Sequence, residues 1–161
     1  AQLVYAIFAL VISIPGLWAL RAAPYVRTSK KSAETMLRFA SIKPGDKVYD
    51  LGCGDGTLVW MAAALCGIAT GYELSLPTYL IAKTRSLFKP RTTILFRNFW
   101  KQNYMDADVV FCSLLPHSMQ QFAQQIWPQL KPGCRVVSNA FSAKGLTAEA
   151  EDNGVFLYIK V

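Results

Sequence analysis

Hydrophobic and polar positions divide the chain into three textures. Residues 1–20, AQLVYAIFALVISIPGLWAL, are apolar or neutral throughout and carry no charge. A continuous helix of that length spans about 30 Å, the thickness of a bilayer core. The expectation is a single-pass transmembrane anchor. The readings that compete with it are a core helix and an interfacial segment broken at Pro15-Gly16. A cleaved signal peptide would carry its charge before the apolar run, not after it. Residues 21–42 are polar and basic, with Arg21, Arg27, Lys30 and Lys31 ahead of the first acid, Glu34. They read as a linker and a pre-domain helix, and their charge places residues 43–161 on the cytoplasmic or mitochondrial matrix side of the membrane.

From residue 43 the pattern becomes short apolar runs separated by helical segments. Lys43-Pro44-Gly45-Asp46 is a turn. Strands are predicted over 48–51, 68–74, 92–96, 108–112, 135–138 and 155–161. Helices are predicted over 57–65, 77–88 and 117–130, the last ending at Lys131-Pro132-Gly133. Alternating strands and helices imply βαβ units. Right-handed crossovers then give an α/β fold with a doubly wound, mainly parallel sheet and helices on both faces.

Composition narrows the classes. A chain of 161 residues makes one domain. It is 53% apolar and only 17% charged, where about 25% charged is usual for a soluble domain, so part of it is expected to lie outside water. The net charge of +7 suits anionic partners. Cys53, Cys66, Cys112 and Cys134 form no C-x-x-C pair, and His117 is the single histidine. That argues against a Cys/His zinc site or a disulfide scaffold. No metal is expected, and the thiols read as reduced.

The most specific feature is Asp50-Leu51-Gly52-Cys53-Gly54-Asp55-Gly56, between the first strand and the first helix of the sheet. Glycine lets a backbone turn this tightly and lie bare against a ligand. In a doubly wound sheet that ligand sits at the carboxyl ends of the strands. The dinucleotide fingerprint needs its third glycine three positions after the second; here it follows after two. An acid directly before the loop also suits a cationic ligand better than a pyrophosphate, which wants a helix N-terminus free of acid. Glu73 ends the second strand, where a carboxylate accepts hydrogen bonds from ribose hydroxyls.

The loop resembles motif I of the class I S-adenosylmethionine-dependent methyltransferases. Further matches are Ala23-Pro24-Tyr25-Val26-Arg27-Thr28, the Tyr-Glu-Leu of residues 72–74 and ILFRNFWK at 94–101. Together they resemble the small, membrane-anchored protein-lysine methyltransferases whose mitochondrial members modify the ATP synthase c subunit and the adenine nucleotide translocase. The resemblance implies S-adenosyl-L-methionine as cofactor. Asp50, Gly52 and Gly54 would hold its methionine part and Glu73 its ribose, with Gly56 also among the cofactor-binding residues. Asn98 stands where the family has an aspartate facing the adenine, and Tyr25 and Thr28 belong to a segment that closes over the cofactor.

The acceptor side is read from Cys112-Ser113-Leu114-Leu115-Pro116-His117, after the fourth strand. There is no Asn-Pro-Pro-Tyr signature, so no nucleic-acid substrate is expected. No catalytic residue stands out; His117, which could take a proton, and Trp100 are the candidates. A lysine acceptor must be neutral, against an ordinary pKa near 10.4. Tyr25, Phe99, Trp100 and Phe141 are candidates for an aromatic, desolvating channel. The expected activity is methylation of a lysine on a membrane-associated protein, with lipid contacted through the N-terminal helix. The alternatives are a membrane-soluble quinone or lipid acceptor, and a non-catalytic cofactor-binding module. Lys83, Arg85, Lys89, Arg91, Arg97 and Lys101 form an acid-free basic run. They scatter over a helix, a loop and a strand, which suits a solvated face able to sit against anionic lipid better than a nucleic-acid site.

Overall fold

The computed structural model describes residues 28–65 and 67–161. The proposed anchor over 1–20, the residues up to 27 including Tyr25, and Cys66 lie outside the described residues. Among the described residues no helix is long and apolar enough to cross a bilayer.

Helix α1, Lys30–Ala40, comes first, with its N-terminus capped by Ser29, whose Oγ accepts from the Ser32 amide. The strands are β1 (Lys47–Leu51), β2 (Ile68–Glu73), β3 (Thr92–Phe96), β4 (Val109–Cys112), β5 (Arg135–Asn139), β6 (Ala150–Asp152) and β7 (Val155–Ile159). Between them lie α2 (Thr57–Ala64), α3 (Leu76–Ser86) and α4 (Pro116–Gln125). The sheet order is β3-β2-β1-β4-β5-β7-β6. β1 to β5 are parallel, and β7 runs antiparallel to both β5 and β6. Chain order reverses between β1 and β4, the switch point beyond which a doubly wound sheet opens a crevice.

Side-chain alternation along β1 sets the two layers. Val48 and Asp50 face one side with α1, α2 and α3; Tyr49 and Leu51 face the other with α4. The first layer buries Ala33, Met36 and Ala40 of α1 with Val59 and Ala62 of α2. Thus the helix assigned to a pre-domain segment shares the core of the sheet. α2, TLVWMAAA, carries no charged residue and is apolar almost all round, as a buried helix must be. The second layer is built on Tyr104, Met119, Phe122 and Tyr158, all fully buried or nearly so.

Three expectations change. The helix predicted over 117–130 stops at Gln125 and tightens into a 3-10 turn over Trp127–Gln129. Pro128 lacks the N–H an α-helix needs there and clashes with the carbonyl four residues earlier. Strand β6 was not predicted, because Ala-Glu-Asp has no apolar alternation. Its signal is the Asn153-Gly154 pair, at φ 51° and 74°, the conformation of a two-residue hairpin turn. The last strand ends at Ile159, two residues early.

Candidate functional site

The loop after β1 is built by its glycines. Gly52, Gly54 and Gly56 have φ of 81°, 56° and 81°, a region that side-chain-bearing residues rarely enter. The Gly52 and Cys53 amides both donate to the Tyr72 carbonyl, at 3.0 and 2.9 Å, which ties the loop to the end of β2. A Cβ on Gly52 would meet nothing within 4 Å, so this face of the loop opens on free space. A Cβ on Gly56 would press on the Trp60 indole at 3.2 Å. Asp55 caps α2, its Oδ1 accepting from the Thr57 amide and hydroxyl, and its Oδ2 pairs with Arg85 at 3.1 Å.

Glu73 does more than a ribose ligand would. Its Oε2 accepts from the Gly54 amide at 3.0 Å, and its Oε1 accepts from the Leu74 and Ser75 amides at 2.8 and 2.7 Å. It therefore fixes the glycine loop and the turn into α3 together. A carboxylate offers about four lone-pair sites, so room for a hydroxyl remains beside these amides.

Asp50 differs from both. It is buried, and its carboxyl makes no hydrogen bond to a described residue. Burial, together with the negative charges of Glu73 and Asp55, pushes its pKa up to about 7. A buried carboxyl without a partner among the described residues, beside a bare glycine loop, suits a ligand that brings its own positive charge. The amino and sulfonium groups of S-adenosylmethionine meet that description, so the residues present fit this cofactor.

Asn98 lies past β3 and caps the 3-10 turn Phe99–Lys101, its Oδ1 accepting from the Trp100 amide at 2.9 Å. A carbonyl oxygen has a second lone pair, so capping leaves acceptor capacity for an adenine amino group. Trp100 is half-buried, stacked at a tilt on Phe99 with centroids 4.7 Å apart, and packed against the second core layer. Thr28 precedes the cap of α1. The other end of α1 is held at the start of β5, where Arg135 donates to the Ala40 and Ser41 carbonyls at 2.6 Å. α1 therefore runs antiparallel to the parallel strands and places Thr28 toward their carboxyl ends. His117 is exposed and lies with Gln120, Gln121 and Gln124 along an open groove on α4. Nothing in the geometry activates it as a base.

The structure adds three residues to the site. Gly71, in mid-β2, leaves room for Cys53: a Cβ there would sit 2.6 Å from the Cys53 Sγ and 2.8 Å from Val59. A lone glycine inside a strand pattern is the available signal. Ser138, fully buried, donates to the Phe141 carbonyl at 2.6 Å and so sets the turn after β5 on which Phe141 stands half-exposed. Tyr158 accepts from the Ala143 amide at 2.8 Å and holds the same turn from below. Cys112 is not a nucleophile, since burial pushes its thiol up to about 12.

Residues 50–150 match the family model of the ANTKMT methyltransferase domain. A protein-lysine N-methyltransferase of Saccharolobus islandicus is 34% identical, the match covering 76% of this chain and 79% of the relative. The adenine nucleotide translocase lysine N-methyltransferase of Mus musculus is 33% identical, covering 86% of this chain and 62% of the mouse protein. The crystal structure of an RNA methyltransferase from Salinibacter ruber, in complex with S-adenosyl-L-homocysteine, superposes with a TM-score of 0.75 at 27% identity. That match covers 83% of this chain and 91% of the other.

Proposed function

Because the chain belongs to the ANTKMT methyltransferase family, and is a class I S-adenosylmethionine-dependent enzyme, we propose that it methylates a lysine side chain of a membrane-associated protein. The observation that carries the reading is the buried Asp50 carboxyl, without a hydrogen-bond partner among the described residues, under an open glycine loop, joined to relatives that are lysine methyltransferases.

When bound, the cofactor supplies an electrophilic methyl group on a sulfonium that is already a good leaving group. The chain's own task is then largely to position and desolvate. Asp50 offers a charge to the amino-acid end of the cofactor, and the glycine loop offers bare backbone. Glu73 would hold the ribose with the acceptor capacity left over from the Gly54, Leu74 and Ser75 amides, and Asn98 would face the adenine. The acceptor lysine enters between the turns after β4 and β5, past Leu115 and Phe141, which are both substantially exposed. An apolar rim lowers the lysine's affinity for its proton by desolvation, and an aromatic face steadies the methylated ammonium. Strand β1 leads through Leu51 directly into this crevice at the switch point of the sheet, where cofactor and acceptor would meet.

The test is to incubate the protein with methyl-labelled S-adenosylmethionine and membranes from cells lacking it, then hydrolyse the labelled fraction. Label recovered as methyllysine from a membrane polypeptide is the expected result. Label in the lipid extract or in RNA would overturn the acceptor class. Glu73→Ala serves as the binding-deficient control. Each lost hydrogen bond to its charge costs about 1.5–3 kcal/mol, so cofactor affinity should fall at least tenfold.

A further inference from the structure

Helix α3 covers β3 and β2 with Tyr79, Ala82 and Ser86, and turns a broad apolar face outward. Leu76, Leu80, Ile81, Leu87 and Phe88 are between 50% and 90% exposed, Phe88 the most. At about 100° per residue Leu76, Leu80 and Ile81, with Thr84 among them, fall in one arc of roughly 140° on α3, and Leu87 and Phe88 follow in the turn directly after it. The same projection sets Lys83 on one border of the arc and Arg85 on the other. Past the helix, Lys89 and Arg91 are exposed and form no ion pair among the described residues. From residue 74 to 105 the chain has six basic residues and no acid. Solubility would scatter apolar side chains; it would not collect three on one short helix and two more in the turn directly after it.

We propose that this face of α3, with the Leu87–Arg91 turn, docks on the surface of an anionic lipid bilayer. The occupant is fixed by charge. An apolar arc that runs into a turn with the exposed cations Lys89 and Arg91 is the pattern of an interfacial segment, with leucines and a phenylalanine in the acyl boundary and the ammonium and guanidinium groups at the headgroups. A second copy of this chain would bring the same positive rim against itself. A protein groove would need acidic residues to match, and the bilayer supplies its negative charge as a continuous surface. Arg85 keeps its pairing with Asp55 at 3.1 Å and the Lys83 ammonium donates to the Ile94 carbonyl at 3.4 Å, so Lys89 and Arg91 are the residues assigned to lipid. The contact stands on the geometry of α3 and holds whichever acceptor is methylated. Its consequence is orientation: with α3 in the membrane plane, the carboxyl ends of the strands open beside the bilayer and not away from it.

The experiment places an environment-sensitive fluorophore on Thr84→Cys of the full chain, in a Cys66→Ser background. Cys53, Cys112 and Cys134 are buried and resist labelling. Vesicles of phosphatidylcholine with about 30% phosphatidylserine should raise and blue-shift the emission; the response should weaken at about 0.5 M salt and on pure phosphatidylcholine. A label on Gln124→Cys, on the opposite layer, should stay unchanged. Neutralising Lys89 and Arg91 to glutamine should weaken the vesicle response about fivefold per charge. A Thr84 label that stays silent with anionic vesicles, responds equally to neutral ones, or responds to protein concentration alone would overturn the proposal.

Discussion

The two ends of one sheet treat charge in opposite ways. At the amino ends of the strands each carboxylate has a cation: Asp46 meets Arg135 at 2.6 Å, Asp106 meets Lys47 at 2.7 Å and Asp108 meets Lys131 at 2.7 Å. The Lys47 ammonium, with the Tyr49 hydroxyl, holds Asp106 below the usual carboxylate range. Burial pushes Asp108 upward, but the Lys131 ammonium and the Lys47 amide outweigh it and leave it lowered. At the carboxyl ends Asp50, Asp55 and Glu73 crowd around the glycine loop, and Asp50 is raised by burial and by its two acidic neighbours. The amino end is electrostatically closed and serves the fold. The carboxyl end keeps a like-charge crowd although Arg85 pairs with Asp55, and a cationic cofactor would relieve it.

Asp50→Asn tests that contrast most strongly. A carboxyl whose folded pKa is about 7 stays protonated in the native state while the unfolded chain already ionises near pH 4. Stability contributed at this site is therefore present in acid and lost as pH rises from about 4 through about 7. The neutral variant escapes that loss. It should be more stable than the natural chain at pH 8 by a few kcal/mol, at most about 4, with the difference vanishing near pH 4. Urea unfolding at a series of pH values measures it. Cofactor affinity should move the other way, falling by about tenfold to a hundredfold in calorimetry. A variant that loses stability at pH 8 would mean that the Asp50 charge serves the fold, and the contrast between the ends would collapse.

Arg135→Leu addresses the other end. Its guanidinium joins Asp46 to the Ala40 and Ser41 carbonyls, and both charged side chains are about 13–14% exposed. Removing one partner of a largely buried pair should cost about 2–4 kcal/mol. Cofactor affinity should stay within about twofold of the natural chain, because no contact of Arg135 reaches the crevice. A matching loss of affinity would show that α1 transmits strain from one end of the sheet to the other.

Gly71→Ala lies between the two. Its new methyl would meet Cys53 at 2.6 Å and Val59 at 2.8 Å, in a layer with no slack. Overpacking of this kind costs about 1–3 kcal/mol. Because Cys53 is part of the glycine loop, affinity for cofactor should fall with stability, unlike in the two variants above. Unfolding and calorimetry on one preparation distinguish a coupled loss from a purely structural one.

What the sequence disclosed follows the same division. The loop of Asp50 to Gly56 and the acid at Glu73 are legible because chemistry demands particular residues at particular spacings. The parallel strands are legible because burial on both faces makes them apolar runs, as in Val-Val-Phe-Cys of β4. Edge elements are not: β6 is polar, and its place is set by the Asn153-Gly154 turn and by pairing with β7. Nor does sequence spacing show that Glu73 holds Gly54, or that Arg135 reaches α1 across 94 positions, since both depend on which elements the fold brings together. The pairing of Asp106 and Asp108 with lysines far along the chain was invisible for the same reason.

Lys131→Ala should have the smallest effect, and its pH dependence makes it useful. The ammonium bridges the Asp108 carboxylate at 2.7 Å and the Asp106 carbonyl at 3.1 Å, with 41% of the lysine side chain exposed. A pair this open to solvent is screened, and its loss should cost under about 1 kcal/mol. Asp108 is lowered in the folded state, so its contribution is present above the ordinary carboxylate pKa and lost as pH falls through the folded value. The Lys131→Ala deficit should therefore be seen at pH 7 and vanish in acid, where the Asp50→Asn gain also vanishes from the opposite direction. Asp50 lies three residues along β1 from Lys47, roughly 10 Å at strand spacing, so the two substitutions should add to within about 0.5 kcal/mol at neutral pH. A deficit that persists in acid would mean that the methylene stem of Lys131 matters and its charge does not. A double variant that departs from additivity would mean that the paired end and the crowded end share one electrostatic field, so that charge closure at the base of the sheet sets how readily Asp50 ionises at its top.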